Sequence, residues 1–268
     1  MTEVEPQTWH YGVVARWWAE FNVDGPEIDY FRSFVEAGQP ALDVACGTGR
    51  LLVPYLEAGL DVDGCDISPD MLMLCRERAE RRGLKPPNLY AQAVHELDLP
   101  RRYKTIVFCG GFGLGGRREH DIEGLSRLYE RLEPGGVLVL DNEVPYADSH
   151  LWQHWPKGKQ QDLPRPWRAG GDRRVGSDGA EYELRSRVVA LDPLSQHVKL
   201  EMKAAMWRDG ELVAEEEHVL EMTLYFTNEL VLMLERAGFA DVALRAGYTE
   251  APPTSDDDFV VFVARKPV

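Results

Sequence analysis

The sequence predicts an α/β fold organised on a mostly parallel sheet of seven strands. Between residues 41 and 140, short apolar runs alternate with segments of helical periodicity, which is the pattern of βαβ units. The first run ends in a glycine turn, Gly47-Thr48-Gly49, that opens a helix. After Pro145 the period changes, and three long runs alternate apolar with polar residues, as an antiparallel sheet inserted into the α/β domain requires.

Each element follows from local chemistry. Trp9 to Phe21 is helix-like and aromatic, and Asn22 to Pro26 breaks it. A second helix spans Glu27 to Ala37, with Ile28, Phe31, Phe34 and Val35 on one face and Gly38 as its stop. Ala41–Ala45 is a buried strand, and Arg50–Ala58 is a helix with Pro54 near its first turn, where a missing N–H costs least. Asp61–Cys65 is the second strand. Ser68-Pro69 then caps the helix Asp70–Arg82. Leu89–Ala93 and Thr105–Cys109 are the third and fourth strands, Asp121–Leu132 is a helix, and Gly136–Leu140 is the fifth strand. His150 to Gly179 is rich in proline, glycine and tryptophan and reads as a long loop, a length that is often functional. The antiparallel runs are Glu181–Leu191, His197–Trp207 and Leu212–Phe226, with a hairpin signal at Arg208-Asp209-Gly210. Asn228–Ala237 is the last helix, and Asp241–Arg245 and Phe259–Ala264 complete the sheet.

Composition narrows the function. The chain has 268 residues, of which 44% are apolar, enough for a full core. A formal net charge of −15 opposes binding to a nucleic-acid backbone, which needs a basic surface. No apolar run reaches the ~18 residues of a membrane span. The acidic start Met1-Thr-Glu-Val-Glu-Pro lacks the regions of a signal peptide, so the expected location is the cytoplasm. Cys46, Cys65, Cys75 and Cys109 show no metal-type spacing and read as free thiols.

The chemistry concentrates in Ala41-Leu-Asp-Val-Ala-Cys-Gly-Thr-Gly-Arg50. Its glycines let a ligand approach the backbone, and the helix start offers N–H groups to a carboxylate or a phosphate. Asp66 ends the next strand, where an acid can accept both hydroxyls of a ribose. A dinucleotide fingerprint needs a third glycine at position 52, which is Leu52. Asp43 precedes the turn, and an acid there suits an ammonium rather than a phosphate.

The stretch Asp43-Val-Ala-Cys-Gly-Thr-Gly49 resembles motif I of the class I S-adenosylmethionine (SAM)-dependent methyltransferases. The resemblance continues through Asp63–Leu72, Leu132–Leu138 and Tyr225–Phe239. It implies a Rossmann-like α/β fold with an N-terminal helical lid over residues 1–38, a SAM-binding core over 39–149, a loop and antiparallel insertion over 150–226, and the rest of the core sheet over 227–268. It also implies that SAM is the cofactor and S-adenosylhomocysteine (SAH) the product. On this resemblance Ala45, Gly47 and Gly49 line the methionine part, Asp66 binds the ribose, and Ile67 and Met71 pack on adenine. Ala93 holds the place of an acid that bonds adenine in many relatives, and the backbone of Val94 or His95 is the alternative contact. Cys109 lies beneath the sulfonium, and Tyr11 matches a lid tyrosine near the methionine carboxylate.

The implied activity is methylation of N or O on a small metabolite, with a non-catalytic SAM-binding protein and a nicotinamide-dependent oxidoreductase as alternatives. Displacement on a sulfonium needs mainly positioning and desolvation, with a base only where the acceptor holds a proton. Tyr11 and Glu143 are the catalytic candidates, with His95, His150 and His154 behind them. Trp18, Phe112, Tyr146 and Trp152 are candidate walls for an apolar, aromatic or amine acceptor. Asp141-Asn142 resembles the metal pair of catechol-type methyltransferases, but the fourth strand lacks the partnering acid, so no metal is expected. In similar enzymes such insertions cover the site or build a dimer interface, so a homodimer through the inserted sheet is one expectation.

Overall fold

A computed structural model describes residues 8–268; the acidic start lies in residues 1–7, outside the described residues. In chain order the first elements are α1 (Gly12–Phe21), α2 (Glu27–Ala37), β1 (Ala41–Val44), α3 (Leu52–Glu57), β2 (Val62–Asp66), α4 (Pro69–Arg81), β3 (Leu89–Ala91), β4 (Tyr103–Phe108) and α5 (Arg118–Arg131). They are followed by β5 (Leu132–Glu143), α6 (Ser149–Trp152), β6 (Asp172–Val175), β7 (Glu181–Asp192), β8 (His197–Arg208), β9 (Glu211–Thr223), α7 (Thr227–Ala237), β10 (Ala240–Ala246) and β11 (Phe259–Arg265). The chain forms two compact units. One comprises the residues up to Val23 with Gly113–Arg117 and Asp148–Leu224, the other Asp24–Phe112, Arg118–Ala147 and Tyr225–Val268.

The second unit holds the seven-stranded sheet, ordered β10-β11-β5-β4-β1-β2-β3. β11 runs antiparallel to β5 and β10, while the pairs from β5 through β3 are parallel. Side chains alternate across a strand, and the alternation sorts the core into two layers. Leu42, Val44, Ile106, Phe108, Leu138, Leu140 and Phe262 meet Leu125 and Leu128 of α5 and Leu230 and Leu234 of α7. Ala41, Val107, Val139, Val261 and Val263 meet Phe31 and Val35 of α2, Leu52 and Tyr55 of α3, and Cys75 and Ala79 of α4. Burial on both faces explains why these strands read as continuous apolar runs. At α4, Ser68 Oγ accepts the Met71 N–H at 3.2 Å, and Pro69 follows it inside the first turn, the start signal read from the sequence.

The first unit is a four-stranded antiparallel sheet, ordered β6-β7-β8-β9. Val13 and Val14 of α1 cluster with Tyr182, Met202 and Ala204, and Trp17, Trp18 and Phe21 pack around them. The lid expected over residues 1–38 is therefore not one body. Its first helix buries its apolar face on the antiparallel sheet, and its second buries Phe31 and Val35 in the core unit. The segment 150–179, read as a loop, contains α6 and strand β6. β6 is Asp-Arg-Arg-Val, exposed at every position, so it lacks the alternation that reveals a half-buried strand; its charges suit an edge. The antiparallel unit also ends at Leu224 rather than 226, because Tyr225 is a fully buried member of the α5–α7 layer.

No helix among the described residues is long and apolar enough to cross a membrane, and no group of three or more His, Cys, Asp or Glu side chains among them is placed to hold a metal ion. All four cysteines are buried free thiols.

Candidate functional site

In the core unit the strand order reverses between β1 and β4, with β2 and β3 on one side and β5 and β11 on the other. A crevice outside the carboxyl ends of strands at such a reversal is where open α/β sheets bind ligands. The chain leaves β1 through Ala45 (φ 53°), Gly47 (φ 53°) and Gly49 (φ 79°), all left-handed. Gly49 is also sterically fixed, since a Cβ there would lie 2.7 Å from Cys75 Sγ and 2.8 Å from a Val53 methyl carbon. Ala45 adopts this backbone without being glycine, local strain of the kind found at ligand sites. Across the crevice, a Cβ on Gly111 would lie 2.7 Å from that of Ala45, so the two strand ends close on each other there.

Asp66 faces this turn. Its Oδ2 accepts the Gly47 N–H at 2.9 Å and its Oδ1 accepts the Ser68 N–H at 2.8 Å. An ionised carboxylate has about four acceptor positions, so acceptor capacity remains for ribose hydroxyls. Burial raises its pKa, and the backbone N–H groups of Ser68, Gly47 and Ile67 oppose the rise. Asp43 is deeper, 1% exposed, and its Oδ2 has no partner among the described residues. Burial first, then the charge of Asp66, hold its carboxyl well above the usual carboxylate range. A buried acid with an orphaned oxygen, beside a second acid, fits a cationic ligand and repels a phosphate. The donor set therefore fits SAM, which carries an ammonium and a sulfonium.

The other predicted cofactor residues of this unit fall around the same strand ends. Met71 is buried at the first turn of α4, and Ile67 lies half-buried between Asp66 and Ser68. Ala93 caps a short 3-10 turn, Val94–Glu96. The His95 ring stacks on His120 of α5, centroids 3.7 Å apart and planes 16° apart, a partnership no sequence spacing announces. Cys109 directly follows β4, and its Sγ donates to Asp141 Oδ2 at 3.3 Å.

Asp141 is the centre of a network that the sequence shows only as an acid after the fifth strand. It accepts the Gly110 N–H at 2.5 Å and the Tyr248 hydroxyl at 2.7 Å. Tyr248 lies in the turn after β10 at a φ of 52°, with its ring against Tyr30, Phe31 and Phe259. Arg50 Nη2 approaches Cys109 Sγ at 3.5 Å, and the same guanidinium pairs with the buried Glu27. Asn142, the second half of the metal-like pair, donates to the backbone oxygens of Glu143 and Tyr225, a structural role.

The catalytic and acceptor candidates are dispersed. Glu143 is exposed at the end of β5. Phe112 packs on Tyr225, centroids 5.1 Å apart, and Tyr146 is 40% exposed. Tyr225 donates to Asp121 Oδ2 at 2.6 Å, and burial pushes the Asp121 carboxyl up to about 7. Tyr11, Trp18 and Trp152 belong to the antiparallel unit. Tyr11 precedes α1 as its N-cap, Trp18 lies 5.8 Å from the His10 ring, and Trp152 lies 5.0 Å from Trp155. His154 is 2% exposed, a core residue, whereas His150 faces solvent.

Comparison with known proteins agrees with this geometry. Residues 41–136 match the family model described as a methyltransferase domain. A suggested methyltransferase of Geobacillus sp. (strain WCH70) is 25% identical, over 96% of this chain and 99% of its own length. Among solved structures, an S-adenosylmethionine-dependent methyltransferase from Clostridium acetobutylicum ATCC 824 superposes with a TM-score of 0.69 at 18% identity, covering 91% of this chain and 92% of that one. The sugar N-methyltransferase KedS8 from Streptoalloteichus sp. ATCC 53650 gives 0.67 at 19% identity, covering 100% and 98%. Residues 41–136 thus match a methyltransferase domain, and the seven-stranded sheet with its glycine turn agrees with the fold of SAM-dependent methyltransferases.

Proposed function

We propose that this methyltransferase transfers the methyl group of SAM to a nitrogen or oxygen of a small metabolite. The observation that carries the cofactor half is the acid-lined turn, where Asp43 offers an orphaned buried oxygen and Asp66 is fixed by two backbone N–H groups. The acceptor half is supported by the acidic chain, net −15, which disfavours nucleic acid. It is supported further by the chain-long likeness to a sugar N-methyltransferase, which includes the segment beyond the core sheet.

On this reading Asp43, Ala45, Gly47, Gly49 and Cys109 hold the amino-acid end of the cofactor, Asp66 the ribose, and Ile67, Met71, Ala93, Val94 and His95 the adenine. The cofactor supplies an electrophilic methyl on a good leaving group, so the chain's own task is to align the acceptor and exclude water. Within the core unit, Glu143 is the candidate for receiving the acceptor's proton, and Phe112 and Tyr146 for shaping its pocket.

The test is labelled-methyl transfer from SAM to a panel of small amines, amino sugars and phenols, with detection of the methylated product by mass. Turnover on at least one class is expected. SAM binding with no transfer to any of them, or to a metabolite extract, would instead favour a binding protein.

A further inference from the structure

The acid on β2, Asp66, anchors one end of the crevice, and a second buried acid stands at the other end, on β5. Asp141 is 6% exposed. Three donors converge on it: the Gly110 N–H, the Cys109 thiol and the Tyr248 hydroxyl. Hydrogen bonds donated to a carboxyl favour its charged form. Burial holds both the Cys109 thiol and the Tyr248 phenol above their ordinary ranges, so both stay protonated and donate. The nearby Arg50 does not cancel the charge of Asp141, because its guanidinium already pairs with the buried Glu27. Among the described residues Asp141 has no ion-pair partner, so its negative charge sits beneath Cys109 and Gly110, at the β4 side of the crevice.

We propose that Asp141 is a specificity-determining residue: a fixed anion, positioned by Tyr248, that makes the crevice prefer the cationic sulfonium cofactor over its neutral thioether product. With ribose at Asp66 on β2, the charged end of the ligand falls on the β4 and β5 side of the strand reversal. This inference rests on the cofactor placement proposed above. Transfer of the methyl group removes the sulfonium charge, so an anion there strengthens substrate binding and leaves product binding nearly unaffected. Tyr248 keeps the carboxylate aimed at the strand ends; its left-handed backbone and three aromatic neighbours fix the hydroxyl.

The experiment is isothermal titration of wild type, Asp141→Asn and Tyr248→Phe with three probes: SAM, SAH and sinefungin, which carries an amine in place of the sulfonium. The Asn variant retains an oxygen for the Gly110 N–H and nearly the same volume. It should weaken SAM and sinefungin by about tenfold or more and SAH by less than about threefold. Tyr248→Phe should change the SAM-to-SAH ratio in the same direction by a smaller factor. A purely structural role would weaken all three probes alike, and equal losses or an unchanged ratio overturn the proposal. Failure of wild type to bind either SAM or SAH overturns the cofactor placement itself, and the proposal with it.

Discussion

Replacing Asp66 with alanine tests the proposed ribose contact and the turn together, and the two effects separate by size. Two hydrogen bonds from ribose hydroxyls to a carboxylate contribute about 1.5–3 kcal/mol each. Their loss amounts to about 3–6 kcal/mol, or roughly a hundred- to ten-thousand-fold in Kd. The same change strips the Gly47 and Ser68 N–H groups of their acceptors, at about 1–3 kcal/mol for each buried donor left unpaired. In a chain of this size 1 kcal/mol moves Tm by roughly 2–4 °C, so a fall of about 5–20 °C is expected. Asp66→Asn keeps one acceptor oxygen, so its Tm should fall less while its affinity for SAH falls nearly as far. Titration with SAH and thermal unfolding of both variants give the two numbers. Affinity of Asp66→Ala within about threefold of wild type would refute the ribose assignment, however far its Tm had moved.

Three other outcomes follow from the same geometry. Asp43 is held above the usual carboxylate range by burial and by Asp66, and an arriving cation favours its charged form, so SAM binding should release protons. Titrations near neutral pH in buffers of different ionisation enthalpy should show that release in wild type and a smaller one in Asp43→Asn; identical release would remove Asp43 from the site. Burial holds the Asp121 carboxyl up at about 7, against 3.8 for a free one, so the native state keeps a proton that the unfolded chain has lost, and its contribution declines as pH rises from about 4 to 7. Asp121→Asn should match wild type in urea near pH 4 and exceed it above pH 7 by about 2–4 kcal/mol, and a difference independent of pH would contradict this. Gly49→Ala combines a left-handed backbone with contacts of 2.7 and 2.8 Å, costing about 2–4 kcal/mol; an unchanged Tm would show that the turn rearranges freely.

The core was legible where one physical cause dominates a run of residues. Strands buried on both faces must be apolar throughout, so β1, β4 and β11 announce themselves. The Ser68-Pro69 cap and the glycine turn 47–49 each serve a single backbone need. The acids Asp43 and Asp66 were visible because both stand at the carboxyl ends of such strands. What stayed hidden depends on contacts between distant segments. β6 is held by ladder bonds to β7 and carries no apolar residue except Val175, so its pattern resembles a loop. The helices of residues 1–38 look alike in sequence, yet they serve different cores, because amphipathicity fixes which face is buried and not against what. Tyr248 is the sharpest case. Its neighbours Ala-Gly-Tyr-Thr-Glu read as a surface turn, and nothing local links it to Asp141, 107 positions away in sequence. A buried acid after a strand was visible, but its donors were not, since Gly110 and Cys109 follow β4 and Tyr248 lies beyond β10. Such a charge network can be found only once the sheet order is known, because that order brings the ends of β4 and β5 side by side.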